Sequence, residues 1–228
     1  MNKKKKEIIA LIIFLIALIS FIVCASAITT PKRYELGANW GAFTEEKKDS
    51  MDVVFFGSSM AYCNVIPAVI WENNGLSSYV MAGPEQPLSI TYYYVKEMFR
   101  HQSPSAVMVE ISGIIYGQYA SEGATKANIS YMPYNINRFG AIINGAPKSE
   151  WLGLFFPLYN YHDRWNKLTE DDYEIGLTGY DIDLLAGYHF LSDNQPQPEM
   201  RERDFEQTEE GYQYNLSWLE KIAQLCRE

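Results

Sequence analysis

The chain is poor in clustered positive charge, cysteine and histidine, and each shortage removes a class of function. Lys and Arg number 19 against 28 Asp and Glu, which gives a net charge of −9, and no basic patch follows Lys6. Nonspecific nucleic-acid binding needs such a patch, so we expect no nucleic-acid partner. Cys24, Cys63 and Cys226 lack metal-ligand spacing, and no phosphate-binding glycine loop or internal repeat is present. We therefore expect no metal and no cofactor.

The N-terminus predicts a membrane segment. A basic cluster from Lys3 to Lys6 precedes an apolar run from Ile8 to Val23 that only Ser20 interrupts. Basic residues before an apolar segment stay cytoplasmic, which puts the rest of the chain outside the cell membrane. Residues 1–28 are long enough for an uncleaved single-pass anchor. The alternative is a signal peptide cleaved near Ala27, which would yield a secreted domain.

The stretch from residue 53 to residue 111 has the pattern of a βαβαβ unit. Three short apolar runs are typical of strands buried in a parallel sheet: Val53 to Phe56, Tyr79 to Ala82 and Ala106 to Ile111. The segments between them, Pro67 to Asn74 and Pro87 to His101, carry helix-start prolines, and the second has an apolar face at helical spacing. Crossovers of this length favour a parallel sheet covered by helices, and thus a three-layer α/β/α fold.

The segments that flank this unit complete the predicted domain plan. Residues 29–50 are polar and turn-rich, which favours a stalk leading into an α/β domain at residues 51–228. Residues 116–200 are rich in Gly, Asn, Pro and Tyr and are predicted to form a lid-like insertion. Within it we expect helical patches at Asn135 to Asn144 and around Trp151 to Leu168, and a loop from Thr178 to Pro198.

An amphipathic helix is predicted from Thr208 onward. Its apolar positions recur at Tyr212, Leu216, Leu219 and Ile222. A helix of this kind in an α/β chain normally leads into another strand. We therefore expect the α/β domain to be incomplete in these 228 residues and to continue beyond Glu228.

The turn Gly57-Ser58-Ser59-Met60 is the strongest candidate for chemistry. It follows the first predicted strand directly. Ligands of open α/β sheets bind beyond the carboxyl ends of the strands. A serine whose hydroxyl a tight turn aims outward there is a candidate nucleophile. The alternative is a small-residue loop without chemistry.

Further blocks follow this turn in order, at Pro67 to Glu72, Gly83 to Pro87 and Tyr92 to Tyr94. Together they resemble the SGNH/GDSL hydrolases, and most of all the membrane-anchored SGNH-like proteins of Gram-positive bacteria. The resemblance covers about Asp52 to Gly113, and it implies a flavodoxin-like arrangement of the three layers.

The resemblance also implies roles for single residues. Ser59 stands at the family's nucleophile position, and Ser58 replaces the usual Asp. After the Ser59 backbone N–H, Gly83 is the second oxyanion donor. The Asn that this family carries after its third strand is missing, and Gln86 is the expected substitute, unless it merely begins a helix. Apart from the resemblance, Glu110 ends a predicted buried strand, and we expect it to orient groups in the site or to contact substrate or the lid.

The family's general base is the main feature that this sequence lacks. The family's Asp-x-x-His pair does not occur in the sequence, so we expect the base beyond residue 228 and little activity from these residues alone. Among the three histidines, His162 adjoins Asp163, and we expect it to contact substrate or pack in the lid.

Two functions follow from these observations. The first is an extracytoplasmic SGNH-type serine esterase or O-acyltransferase acting on cell-envelope glycan, with a cell-wall polysaccharide as substrate. The alternative is a non-catalytic SGNH-like protein that binds or assembles cell-envelope components. The missing Asn and the replacement of Asp by Ser58 motivate this alternative.

Overall fold

A parallel three-stranded sheet is the centre of the fold. The structure is a computed structural model that describes residues 3–31, 40–115, 117–174, 183–190 and 208–227. The strands are β1 (Val53–Gly57), β2 (Ser78–Ala82) and β3 (Ala106–Val109), in the order β2-β1-β3. Phe56 of β1 pairs with Met81 on one side and Val109 on the other. The predicted parallel sheet is confirmed, and its central strand is the one that leads into the serine turn.

The helices around this sheet agree largely with the sequence pattern. Their bounds are α1 Lys3–Thr29, α2 Trp40–Glu45, α3 Ser59–Tyr62, α4 Pro67–Asn74, α5 Leu88–Met98, α6 Glu122–Ile129, α7 Ile136–Gly145, α8 Trp151–Phe155, α9 Pro157–Tyr161, α10 Asp171–Glu174 and α11 Glu209–Leu225. Short 3₁₀ turns lie at Ser112–Ile114 and His162–Asn166. Helix α4 has the predicted bounds because Pro67 begins it and Gly75, with φ of 66°, ends it in the left-handed conformation.

The two faces of the sheet are covered unequally. One face joins Val54 and Phe56 to α5 and α11 in a large apolar core. The other face carries a small cluster that includes Ala61, Tyr62 and Val80. The chain is therefore a mixed α/β protein with one dominant core, whose main helical layer is α5 with α7 and α11 packed against it.

Helix α2 changes the picture of residues 29–50. Trp40 and Phe43 are fully buried. The Trp40 ring meets Tyr94 edge-on with 4.9 Å between centroids, and Phe43 meets Tyr79 at 5.1 Å. Residues 40–45 of the expected stalk therefore belong to the core. Burying two large aromatic side chains removes much apolar surface from water, and this stabilises the packed position. Residues 32–39 lie outside the described residues.

The N-terminal helix is long and apolar enough to cross a membrane. Helix α1 has 27 residues, and no residue of its most apolar window is buried in the isolated chain. A signal sequence would have the same properties. At the end of α1, Ser26, Thr29 and Thr30 are buried against the domain. The predicted membrane segment is thus confirmed as a helix of suitable length and composition.

The expected insertion is largely helical where it is described. Helices α6 to α10 lie within residues 122–174. The buried Arg138 of α7 links α8 to the segment after α6 by donating to the carbonyl oxygens of Ser130, Met132 and Leu154. Of the loop expected at residues 178–198, only residues 183–190 are described, and the rest lies outside the described residues. These eight residues, called the edge strap, lie along β2, where the Val80 N–H donates to the Ala186 carbonyl at 2.9 Å.

Candidate functional site

The turn after β1 presents two serines in different environments. Ser58 is 1 % exposed and caps α3, because its hydroxyl accepts the Met60 N–H at 3.3 Å. Ser59 is the first residue of α3 and is half-buried. Its backbone N–H is donated to no acceptor among the described residues. Ser59 therefore lies, half-buried, at the carboxyl end of the central strand, and its role as nucleophile stays a prediction.

Gly57 allows the strand ends to approach at this turn. Its φ is 147°, and a Cβ added there would lie 2.6 Å from the Glu110 Cβ. Both the backbone conformation and the space exclude other residues. This close approach brings the residue that follows β3 beneath the serine turn.

Glu110 organises the turn but contacts Ser58 rather than Ser59. Its Oε2 accepts the Ser58 N–H at 3.1 Å and the Ser58 hydroxyl at 2.7 Å, while Oε1 accepts the Ser112 N–H. The Ser112 hydroxyl lies 3.1 Å from the Ser58 hydroxyl. Burial raises the pKa of Glu110, but the hydrogen bonds from Ser112 and Ser58 outweigh it and hold the pKa below its ordinary value. The ionised carboxylate ties the end of β3 to the turn after β1.

Tyr62 hydrogen-bonds to the Ser59 side chain, and His189 packs against Tyr62. Burial raises the pKa of Tyr62 to about 12, and a hydrogen bond with Ser59 opposes that shift. The backbone N–H of His189 donates to the Tyr62 carbonyl at 2.8 Å, and the two rings meet edge-on with 5.1 Å between their centroids. Within the described ranges, no histidine hydrogen-bonds to the Ser59 hydroxyl. His189 had no sequence signal, because its place depends on the edge strap lying against β2, far away along the chain.

The predicted oxyanion donors are both engaged elsewhere. The single N–H of Gly83 donates to the Gly57 carbonyl at 3.1 Å, which continues the sheet ladder and leaves it no hydrogen for an oxyanion. Gln86 is 1 % exposed, and its Nε2 donates to Asn128 Oδ1 at 3.0 Å while its Oε1 accepts the Thr91 hydroxyl at 2.9 Å. The Ser59 N–H is thus the remaining candidate donor of the predicted set.

Asn128 is a buried residue that the sequence reasoning missed. Its Nδ2 donates to the Pro84 and Ala124 carbonyls, each at 2.8 Å. A Cβ on Gly83 would lie 2.0 Å from its Oδ1. Asn128 therefore fixes the turn from Gly83 to Gln86, and the glycine is needed for close packing against this side chain rather than for a free N–H.

His162 lies in a different part of the domain. It is exposed, and its Nδ1 is 3.0 Å from the Tyr159 carbonyl. The 3₁₀ turn that carries it packs on α9 and on the end of α1. The structure does not bring His162 to the Ser59 turn, so a contact with a substrate bound at Ser59 is not supported.

A cavity lies at the opposite end of the sheet, near the amino-terminal ends of its strands. It has a volume of about 330 Å³ and is lined by residues that include Met51, Pro67, Trp71, Ser78 and Leu185. Met51 and Ser78 mark the amino-terminal ends of β1 and β2, so this cavity is not part of the Ser59 turn. Among the described residues, no cluster of His, Cys, Asp and Glu could hold a metal ion.

Comparisons with known proteins add no assignment. No protein-family model, curated protein or solved structure matches the chain. The resemblance to SGNH/GDSL hydrolases therefore stays a prediction from the motifs. What the arrangement can do chemically depends on the half-buried Ser59, on its backbone N–H, which has no acceptor among the described residues, and on a turn that Glu110 ties to the end of β3.

Proposed function

We propose that the protein is an extracytoplasmic SGNH-type serine esterase or O-acyltransferase with Ser59 as its nucleophile. The observation that carries the proposal is the position of Ser59 on the first turn of α3, at the carboxyl end of the central parallel strand. The order of the motif blocks supports the same assignment. The proposal includes helices on both faces of the sheet, as in a three-layer α/β/α domain.

The proposed reaction proceeds through an acyl-enzyme. The Ser59 hydroxyl oxygen attacks the carbonyl carbon of an ester, its proton passes to a base, and the ester alcohol leaves. The acyl group then moves from Ser59 to water or to a glycan hydroxyl. The Ser59 N–H supports this chemistry, since it can donate to the oxyanion that forms during attack.

Glu110 acts as a positioning residue in this scheme. Its ionised carboxylate accepts hydrogen bonds from the Ser58 N–H and hydroxyl and so fixes the position of the turn. The scheme also needs a base that the described residues do not place on Ser59. General-base assistance is typically worth about 10²–10⁴-fold in rate, so the described residues alone supply a poor catalyst.

The location of the reaction follows from the membrane helix. We propose that α1 anchors the protein as a single-pass helix with Lys3 to Lys6 in the cytoplasm, which leaves the α/β domain outside. Acylated polysaccharides of the cell envelope are substrates that such a domain can reach. Release by cleavage near Ala27 is the alternative, and the burial of Ser26 and Thr29 against the domain favours retention of the helix.

A non-catalytic role in binding or assembling envelope glycans is the second candidate. Two observations favour it, namely that the Gly83 N–H is used within the sheet and that no described histidine bonds to Ser59. An enzyme and a binding protein differ in their dependence on Ser59. Removing one hydroxyl abolishes acyl transfer, whereas a binding surface of many contacts loses little.

Acetate release from an O-acetylated glycan oligomer separates the two candidates. The protein is extracted from membranes of producing cells in mild detergent, and both acetate release and oligomer binding are measured. We expect Ser59→Ala to abolish release while binding persists, and Ser121→Ala, a change at an exposed serine, to leave both unchanged. Binding without acetate release or transfer by the native protein would instead support the second candidate.

A further inference from the structure

The end of helix α1 packs against the domain. Ser26 and Thr29 are buried, and Arg164 donates to the Thr29 carbonyl at the C-terminus of the helix. Arg164 also pairs with the Asp172 carboxylate at 3.2 Å. A guanidinium at a helix C-terminus is favoured by the helix dipole and satisfies a carbonyl that has no partner within the helix. The orientation of α1 therefore determines how the domain lies relative to the bilayer.

The depth of this junction follows from the length of the apolar segment. About 20 helical residues cross the hydrocarbon core of a bilayer. Counted from Ile8, the span ends near Ala27, so the docked residues Ser26 and Thr29 lie at the headgroup level. Helices α9 and α10 and the 3₁₀ turn at His162–Asn166 contact this end of α1 and so lie at the same level.

These three elements carry exposed aromatic side chains. Tyr159 on α9 is 61 % exposed, Trp165 on the 3₁₀ turn 71 %, and Tyr173 on α10 65 %. Trp and Tyr are enriched where membrane proteins cross the interface, because an apolar ring and a polar group suit the headgroup layer.

We propose that Tyr159, Trp165 and Tyr173 form an aromatic collar that inserts into the outer headgroup layer of the membrane. The collar rests on the proposed membrane span of α1, and its occupant is the phospholipid interface around that helix. All three elements that carry these rings contact α1, which places the collar beside the membrane helix. The collar holds the α/β domain against the membrane surface instead of on a loose tether.

Quenching of tryptophan fluorescence by brominated lipids tests the collar. The full chain is reconstituted into phosphatidylcholine vesicles whose acyl chains carry bromine close to the headgroups. Trp165→Phe is compared with Trp71→Phe, a matched control because Trp71 is 61 % exposed on α4, which packs on β2. We expect the native chain to be quenched, Trp165→Phe to lose most of that quenching, and Trp71→Phe to retain it.

Two results would overturn the collar, and they differ in what they say about α1. If the chain floats with the vesicles but Trp165→Phe is quenched as much as the native chain, the collar is wrong and the span stands. If the chain does not float with the vesicles, the span itself is wrong, and the collar falls with it.

Discussion

At the scale of single residues, Ser58 and Ser59 show what a local motif can and cannot predict. The turn after an apolar strand predicted a reachable serine, and Ser59 lies where that pattern requires. The contact of Ser58 with Glu110 joins residues 52 positions apart, and no local pattern reports it. Gly83 illustrates the opposite failure, because its motif favoured a free N–H that the sheet ladder in fact uses.

Glu110→Gln tests whether the carboxylate holds the serine turn. The variant replaces the charged carboxylate that accepts hydrogen bonds from Ser58 and Ser112 with a neutral amide. We expect its free energy of unfolding to fall by about 1–2 kcal/mol near neutral pH, a figure that allows for the partial exposure of the Glu110 side chain. Because the folded-state pKa of Glu110 is depressed, its contribution is present above the ordinary value of 4.5 and is lost as pH falls through the folded-state value. Denaturant unfolding at about pH 7 and about pH 3 should therefore show a difference between native and variant that shrinks in acid.

The control for this experiment is Glu72→Gln on the exposed surface of α4. It should unfold like the native chain at both pH values. A Glu110→Gln difference that stayed the same in acid would show that the carboxylate charge is not what stabilises the turn.

At the scale of helices and strands, prediction succeeded where end signals were local. Pro67 begins α4 and Gly75 ends it. Asn135 caps α7 by accepting the Asn137 and Arg138 N–H groups, and Thr208 caps α11. Helix α2 was missed because it is only six residues long and is stabilised by tertiary burial rather than by its own pattern. The edge strap is irregular, as the loop prediction expects, but its position against β2 was not predicted because it depends on tertiary contacts.

Phe43→Ala tests the place of α2 in the core. The Phe43 ring is fully buried and packs against Tyr79, so we expect the variant to lose about 3–5 kcal/mol of unfolding free energy. Thermal and denaturant unfolding measure the loss. Glu45→Ala, at an exposed position of the same helix, should change stability little. A Phe43→Ala variant as stable as Glu45→Ala would return these residues to the predicted stalk.

At the scale of the whole molecule, the sequence predicted the parts better than their arrangement. The βαβαβ pattern predicted a parallel sheet, and the order β2-β1-β3 puts the serine turn on the central strand. The docking of α1 could not be predicted, because it depends on a hydrogen bond between Arg164 and Thr29, 135 positions apart. The site is likewise only partly predictable, since the motif shows the nucleophile but not which donors and bases surround it.

Covalent labelling of Ser59 tests the central claim most directly. Membranes from cells that produce the protein are treated with a fluorophosphonate probe, and the modified peptide is identified by mass spectrometry. We expect the label on Ser59, none on Ser59→Ala, and reduced label on Ser58→Ala. Ser58 is buried and hydrogen-bonded to Glu110, so it is not labelled itself, but its loss disturbs the turn that positions Ser59. Equal labelling of Ser59→Ala, or a native protein that takes no label, would contradict the assignment of Ser59 as the nucleophile of a serine enzyme.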